Sequence, residues 1–332
     1  MIIHGDCLEI MDAYPDNHFT SILTDPPYGL GFMGKEWDST VPGEKYWSEC
    51  LRVCKPGAMM LCFGGTRKYH RLTCAIENAG WEIRDCLMWL YGSGFPKSHN
   101  NFGLEGYGTA LKPAWEPIIL AMKPLDGTYA QNIEKWGIGG LNIDASRIEG
   151  KLWKSHFATG LAKNKFFSDG ESKVIEKNPN SKGRWPANTL FDMESAEMLD
   201  VQSGIGKSAK GFCNAKKVNS CHKEAKGLHT TGREISWEGY GDSGGASRFF
   251  YCAKASPSER EGNNHPTVKP IKLLEYLLKL IAPPQNALIL DPFAGSGSTC
   301  VAAKNLGLEC VGIEINEDYC EIANARIKLG ER

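Results

Sequence analysis

Along the first third of the chain, short apolar runs alternate with stretches whose apolar positions recur at helical spacing. Ile2 and Ile3 lead into Gly5-Asp6 as a strand end, and residues 8–14 follow as a short helix. Residues 19–24 form a brief apolar run, the pattern of a buried strand. A helix over 46–54 stops at Lys55-Pro56-Gly57, and a strand over 58–63 closes at Gly64-Gly65. A helix over 67–78 and a long strand over 81–91 come next, and 116–122 reads as a further strand. Strands and helices taking turns predict a parallel sheet covered by helices.

The pattern then fades. From about Pro124 to Arg248 the chain is polar, rich in glycine, lysine and asparagine, and weakly periodic, with no internal repeat. That is too long for an ordinary loop and predicts a lobe or a functional insertion. Regularity returns at 270–282, where Leu273, Leu274, Leu277, Leu278 and Ile281 share one helical face. Pro270 suits the first turn and Pro283-Pro284 end it. A buried strand over 287–290, a helix over 299–306, a strand over 310–315 and an amphipathic segment over 319–327 complete the chain.

Composition narrows the classes. A chain of 332 residues fits one sizeable core with a large insertion, or two unequal domains. The net charge of -1 means that any nucleic-acid surface must be local. No apolar run approaches the ~20 residues that span a bilayer. The N-terminus lacks the basic stretch and long apolar core of a signal peptide. The expected location is the cytoplasm, with no membrane partner. Twelve cysteines include no CxxC, and several, such as Cys62 and Cys86, sit inside apolar segments. They read as free thiols in a reducing compartment. Cys213, Cys221, His222 and His229 match no standard zinc spacing, so no metal is expected.

Two stretches carry chemistry. The strand over 287–290 runs into Asp291-Pro292-Phe293-Ala294-Gly295-Ser296-Gly297-Ser298-Thr299, a glycine-rich turn opening a helix. Such a turn lets a ligand approach the backbone, and Glu314 ends the next strand about twenty residues after the first glycine, the place of a ribose-binding acid. The stretch is not a P-loop and lacks the full GxGxxG. The other stretch is Asp25-Pro26-Pro27-Tyr28, directly after the strand over 19–24. Alone, each could be a tight or rigid turn. If both end parallel strands of one sheet, they open on the same carboxyl-end crevice.

Together these stretches resemble the catalytic motif and cofactor loop of amino-group DNA methyltransferases that use S-adenosylmethionine. His4-Gly5-Asp6, the His265–Pro270 segment and Gly312-Ile313-Glu314-Ile315 add to the resemblance. Its motif order is that of the circularly permuted β class. It covers roughly the first 120 and last 85 residues and leaves the middle uncovered. The resemblance implies an α/β fold with a Rossmann-like, mostly parallel class I methyltransferase sheet, circularly permuted. Residues 1–123 would form its catalytic part, 124–248 an inserted target-recognition region, and 249–332 its cofactor-binding part.

The resemblance also implies roles. Asp25 and a backbone carbonyl, that of Pro26, would accept the two N–H bonds of an exocyclic amine, with Pro26 and Pro27 holding rigid acceptors that bring no donor of their own. Tyr28 would stack on a base flipped out of double-stranded DNA. Phe293, Gly295 and Gly297 would line the methionine portion of the cofactor, beside Asp291. Glu314 would bind the ribose hydroxyls, and Asp6 with Cys7 would meet the adenine end. Thr267 and Lys269 would hold the cofactor carboxylate, although Lys269 could equally be a solvated residue at a helix start. An aspartate before Pro-Pro-Tyr usually accompanies adenine N6 in this family, and a serine cytosine N4.

The insertion should read DNA. Between Val201 and Arg233 it carries Lys207, Lys210, Lys216, Lys217, Lys223, Lys226 and Arg233 against one acid, Glu224. Such a strip suits phosphates, and would position DNA without choosing a sequence. The bland alternative is a solvated, lysine-rich loop. Residues 93–97 and Trp115-Glu116-Pro117 are candidates to border the flipped base. The readings carried forward are an adenine-N6 enzyme, a cytosine-N4 enzyme and a nucleic-acid-binding protein of this fold without transfer activity. A cognate restriction endonuclease and a second copy of the chain are candidate partners.

Overall fold

The computed structural model describes residues 1–31, 39–94, 98, 105–150, 183–207, 211–214, 234–237, 242–253 and 269–329. Its first elements are β1 (Ile2–His4), α1 (Cys7–Asp12), β2 (Phe19–Thr24), α2 (Glu44–Val53), β3 (Cys54–Phe63), α3 (Tyr69–Asn78), β4 (Glu82–Leu90) and β5 (Trp115–Met122). The middle holds α4 (Tyr129–Trp136), β6 (Thr189–Asp192), α5 (Met193–Ser203), β7 (Gly206–Lys207), β8 (Gly211–Asn214), β9 (Glu234–Trp237) and β10 (Ser243–Gly244). The chain closes with β11 (Tyr251–Ala253), α6 (Ile271–Ile281), β12 (Leu288–Asp291), α7 (Ser298–Asn305), β13 (Glu309–Glu314) and α8 (Glu317–Leu329).

Among the described residues, nine strands form one sheet in the order β1-β13-β12-β2-β3-β5-β4-β6-β11. Pairing is parallel except at β5, which runs antiparallel to both β3 and β4. This is the mostly parallel α/β sheet that the strand and helix alternation predicts. At its middle, β2 lies beside β12. The chain leaves β2 towards β3 on one side and β12 towards β13 on the other. Strand order therefore reverses there, which opens a crevice beyond the carboxyl ends of the strands.

Local sequence explains the central elements. All six residues of β2 are buried, as befits a central strand covered on both faces. In α2, Trp47, Cys50 and Val53 face inward at helical spacing. The indole N–H of Trp47 donates to the Pro42 carbonyl (3.1 Å) and that of Trp81 to the Trp47 carbonyl (2.9 Å), so neither buried ring leaves a donor unpaired. The five apolar residues expected on one face of α6 are buried, and so are Ile271, Tyr276 and Leu280. The helix is thus enclosed on most sides, with Tyr276 stacked on Tyr251 of β11.

One boundary differs from the sequence reading by more than two residues. The strand expected from residue 58 begins at Cys54. Phe19 faces Cys54, but Ser21 faces Met59, so a bulge absorbs Lys55-Pro56-Gly57. Gly57 takes a φ of 81° there, and the Asn132 amide donates to the Pro56 carbonyl (3.0 Å).

The chain divides into two compact units. The first comprises residues 1–146, 186–198 and 250–332, the second 147–185 and 199–249. All nine sheet strands lie in the first unit. In the second, β7 pairs with β10 and β8 with β9, both antiparallel. The buried Arg184 guanidinium there donates to the carbonyls of Glu149 (2.9 Å) and Arg248 (3.1 Å) and pairs with Asp242. Lys207 is exposed on β7. Lys210, Lys216, Lys217, Lys223, Lys226 and Arg233 lie outside the described residues, as do Cys221, His222 and His229. Among the described residues no helix is long and apolar enough to cross a membrane.

Candidate active site

Five parallel strands, β1, β13, β12, β2 and β3, deliver their carboxyl ends to the crevice. Asp25-Pro26-Pro27-Tyr28 follows β2 without an intervening residue. The Tyr28 hydroxyl donates to Asp25 Oδ1 (2.8 Å), and Lys269 Nζ donates to Asp25 Oδ2 (2.8 Å). Lys269 precedes α6 and is buried. Its ammonium also reaches the Tyr28 hydroxyl (3.0 Å) and Glu116 Oε2 (3.2 Å). Three ammonium protons therefore meet three protein acceptors. Glu116 Oε2 lies 3.2 Å from the Tyr28 hydroxyl as well.

The electrostatics follow from burial and neighbours. Burial depresses the Lys269 ammonium, but the charges of Asp25 and Glu116 outweigh it, so its pKa is raised. Burial and the same two carboxylates raise that of Tyr28, which keeps its phenol a donor. The tyrosine ring packs on Gly65, where an added Cβ would sit 3.0–3.2 Å from Tyr28 atoms. A side chain at Gly65 would displace the ring.

The glycine turn forms the other half. Asp291 at the end of β12 is buried and accepts from the Thr24 hydroxyl (2.7 Å) and the Phe293 amide (3.2 Å). Burial pushes its pKa up to about 6. Gly295, with φ 51°, donates its N–H to Glu314 Oε2 (2.8 Å), while Asn316 donates to Glu314 Oε1 (2.8 Å). The Glu314 carboxylate thus ties β13 to the turn, and burial raises its pKa. Asp6 caps α1 through the Leu8 amide (2.7 Å). The Cys7 thiol is pushed up to about 12 by burial.

A cavity of about 450 Å³ joins the two halves. Asp6, Cys7, Asp25, Pro26, Pro27, Tyr28, Lys269, Asp291, Phe293, Gly295 and Glu314 all line it. Gly297 does not appear on its wall; with φ 77° it starts α7, and an added Cβ would meet Ala323 Cβ at 2.7 Å. Its bareness serves helix packing against α8. Thr267 lies outside the described residues, as do residues 95–97. Tyr46, Phe63 and Asn316 also line the cavity and escaped the sequence reading. Phe63 carried a usable signal, since it ends an apolar strand at a Gly-Gly pair.

A family model of DNA methylases matches residues 19–325, nearly the whole chain. The chain belongs to the N6-adenine/N4-cytosine DNA methyltransferase family. This DNA methyltransferase depends, with its family, on S-adenosylmethionine. It is 46% identical over 337 residues to the putative methylase YubD of Escherichia coli (strain K12), covering 99% of this chain and 91% of that protein. It is 40% identical over 338 residues to the DNA adenine methyltransferase YhdJ of the same organism, covering 99% and 82%. The solved PvuII DNA methyltransferase, cytosine-N4-specific, shares the fold with a TM-score of 0.50 at 14% identity, covering 99% of this chain and 93% of that one.

The cavity fits the family's cofactor on its own chemistry. Its volume falls within the ~300–1,000 Å³ common for small-molecule sites. Its wall combines apolar surface from Phe293, Leu274 and Ile313 with the acids Asp6, Asp25, Asp291 and Glu314. Acids favour a cationic ligand, and apolar surface favours a flat heterocycle.

Proposed function

We propose that this methyltransferase acts on adenine N6 in double-stranded DNA, at a base turned out of the helix. The observation that carries the reading is Asp25, held at the mouth of β2 by Tyr28 and Lys269 and facing the same cavity as the glycine turn. The name of YhdJ, a DNA adenine methyltransferase over most of its length similar to this chain, supports adenine. The type II designation of other relatives supports a companion restriction endonuclease.

An exocyclic amine is a weak nucleophile because its lone pair is delocalised into the ring. Asp25 accepts one of its N–H bonds and the Pro26 carbonyl the other. With both protons held, the lone pair turns out of the ring plane. Both acceptors are aimed before the base arrives, so little reorganisation remains for the reaction itself. Asp25 also offsets the positive charge that grows on the nitrogen. Bound S-adenosylmethionine supplies an electrophilic methyl group on a sulfonium. Glu314, Asp6, Cys7, Asp291, Phe293 and Gly295 would hold it against β12 and β13, and alignment of the two reactants supplies the rest. The region at 124–248 would read the DNA sequence, with Lys207 among the residues that meet phosphates.

The test is to incubate the protein and DNA with cofactor labelled in the methyl group and digest the DNA to nucleosides. Label is expected in N6-methyladenosine. Label in N4-methylcytosine transfers the reading to cytosine, which presents the same amine. Tight DNA binding with no label in any nucleoside replaces it by a silent DNA-binding protein.

A further inference from the structure

Glu116 is the one group of the Asp25 cluster that the proposed chemistry does not use. It stands second in β5, the strand that runs against its neighbours. A parallel strand would have placed its first residues at the far edge of the sheet. Reversal brings them to the carboxyl edge instead: Ile118 faces Phe63, and the Gly64 amide donates to the Pro117 carbonyl (3.0 Å). Glu116 thereby reaches Lys269 Nζ (3.2 Å) and the Tyr28 hydroxyl (3.2 Å).

Charge gives this contact a purpose. Asp25 and the buried Lys269 form a close, partly buried ion pair. That pair alone is neutral, and a neutral pair does little for an amine nitrogen that turns cationic. A second carboxylate on the same ammonium leaves one net negative charge on the trio. It also draws Lys269 to one side, since the ammonium must serve two acids.

We propose that Glu116 is a positioning residue for methyl transfer, holding Lys269 between two carboxylates so that the Asp25 centre keeps a net negative charge towards the amine. The inference rests on the reading of Asp25 as the amine acceptor. It assigns Lys269 to the amine side of the crevice. A solely architectural bond between β5 and the Pro-Pro turn would also explain the distances, so the test must separate charge from architecture.

The experiment compares single-turnover methyl transfer by the full chain and its variants E116Q, E116D, D25A and the pair E116Q/K269M, with cofactor affinity and thermal unfolding measured alongside. In E116Q the transfer rate should fall about 10- to 100-fold, the scale of one charge removed from the partly buried cluster of Asp25, Lys269 and Glu116. Cofactor affinity should stay within about twofold, because Glu116 is off the cavity wall. E116D, which keeps the charge, should retain more activity than E116Q. Adding K269M to E116Q should restore part of the rate, since Asp25 is then left as a lone negative charge. A merely architectural Glu116 gives the opposite: the pair is no faster than E116Q alone, and E116D is no better than E116Q. Either result overturns the inference, as does E116Q at the unaltered rate when D25A is inactive. Full activity in D25A would instead overturn the reading of Asp25 on which it stands.

Discussion

Replacing Tyr28 by phenylalanine separates two jobs that the residue could do. The ring, which would stack on a flipped base, is kept. The hydroxyl is removed, and with it the bond to Asp25 Oδ1 (2.8 Å) and the acceptor for Lys269 (3.0 Å). A hydrogen bond to a charged group contributes about 1.5–3 kcal/mol. If the bond orients Asp25 only as the amine reacts, its loss appears in the barrier, and each ~1.4 kcal/mol is a factor of ten. The expected fall in kcat is therefore about 10- to 100-fold. KM for DNA should change by less than about twofold, because the ring remains. Since burial and two carboxylates raise the phenol pKa, Tyr28 is a donor throughout the working range. The ratio of rates should then be flat from about pH 6 to about pH 9. Steady-state transfer of labelled methyl, with oligonucleotide in excess over enzyme and its concentration varied, measures both quantities. A Y28F enzyme with unaltered kcat would refute the reasoning. So would a raised KM at constant kcat, which would make the hydroxyl a binding group.

Two further outcomes follow from burial. Asp291 has a folded-state pKa raised to about 6, so the folded protein holds this proton more tightly than the unfolded chain. Its stabilising contribution is complete below about pH 4 and is lost as pH rises through about 6. D291N lacks that term, so its stability relative to the parent should rise by about 3 kcal/mol between those limits and level off above them. Chemical denaturation at a series of pH values reads the difference, and a pH-independent gap would contradict it. At Gly312, an added Cβ would lie 2.6 Å from Ile2 Cδ1, 2.8 Å from Cys300 Sγ and 2.9 Å from Ala294 Cβ. G312A should cost about 1–3 kcal/mol through overpacking and weaken cofactor binding through Ala294, with unchanged unfolding and affinity as the opposing result.

Much of the sheet was legible because its parallel strands announce themselves. Phe19–Thr24 is a short apolar run ended by an acid, and Leu288–Asp291 is another. Each forms a central strand, and each hands the chain to a motif. The helical face of α6 was equally plain, because five apolar side chains recur at the right spacing. What stayed hidden depends on long-range partners. The direction of β5 is written nowhere in Trp115–Met122, and Glu116 joins Asp25 only because that direction is reversed. Cys54–Phe63 begins early because pairing with β2 tolerates a bulge that local proline and glycine would otherwise read as a stop. The segments Thr189–Asp192 and Met193–Ser203 lie in a polar region whose periodicity gives no signal, and long-range pairing defines the strand, which lies between β4 and β11 in the sheet.

The polar residues inside β2 show how two distant parts of the chain come to share one crevice. A fully buried strand gains nothing from hydroxyls unless each finds a partner, since an unpaired buried hydroxyl costs about 1–3 kcal/mol. In Phe-Thr-Ser-Ile-Leu-Thr the partners all come from the far end of the sequence. Thr20 donates to the Leu288 carbonyl (3.0 Å), Ser21 to the Ile281 carbonyl (2.8 Å) and Thr24 to the Asp291 carboxylate (2.7 Å). Those acceptors lie at the end of α6, the start of β12 and its last residue. The bonds of Thr20 and Thr24 therefore fix the register of β2 against β12, and that of Ser21 ties the strand to the end of α6. Register matters because it sets how far Asp25 stands from the glycine turn that follows Asp291. A slip of one residue would strand three buried hydroxyls and turn the side chains of β2 to the opposite face. Hydroxyls in an otherwise apolar strand are thus the seam at which the motif of the first residues meets the loop of the last.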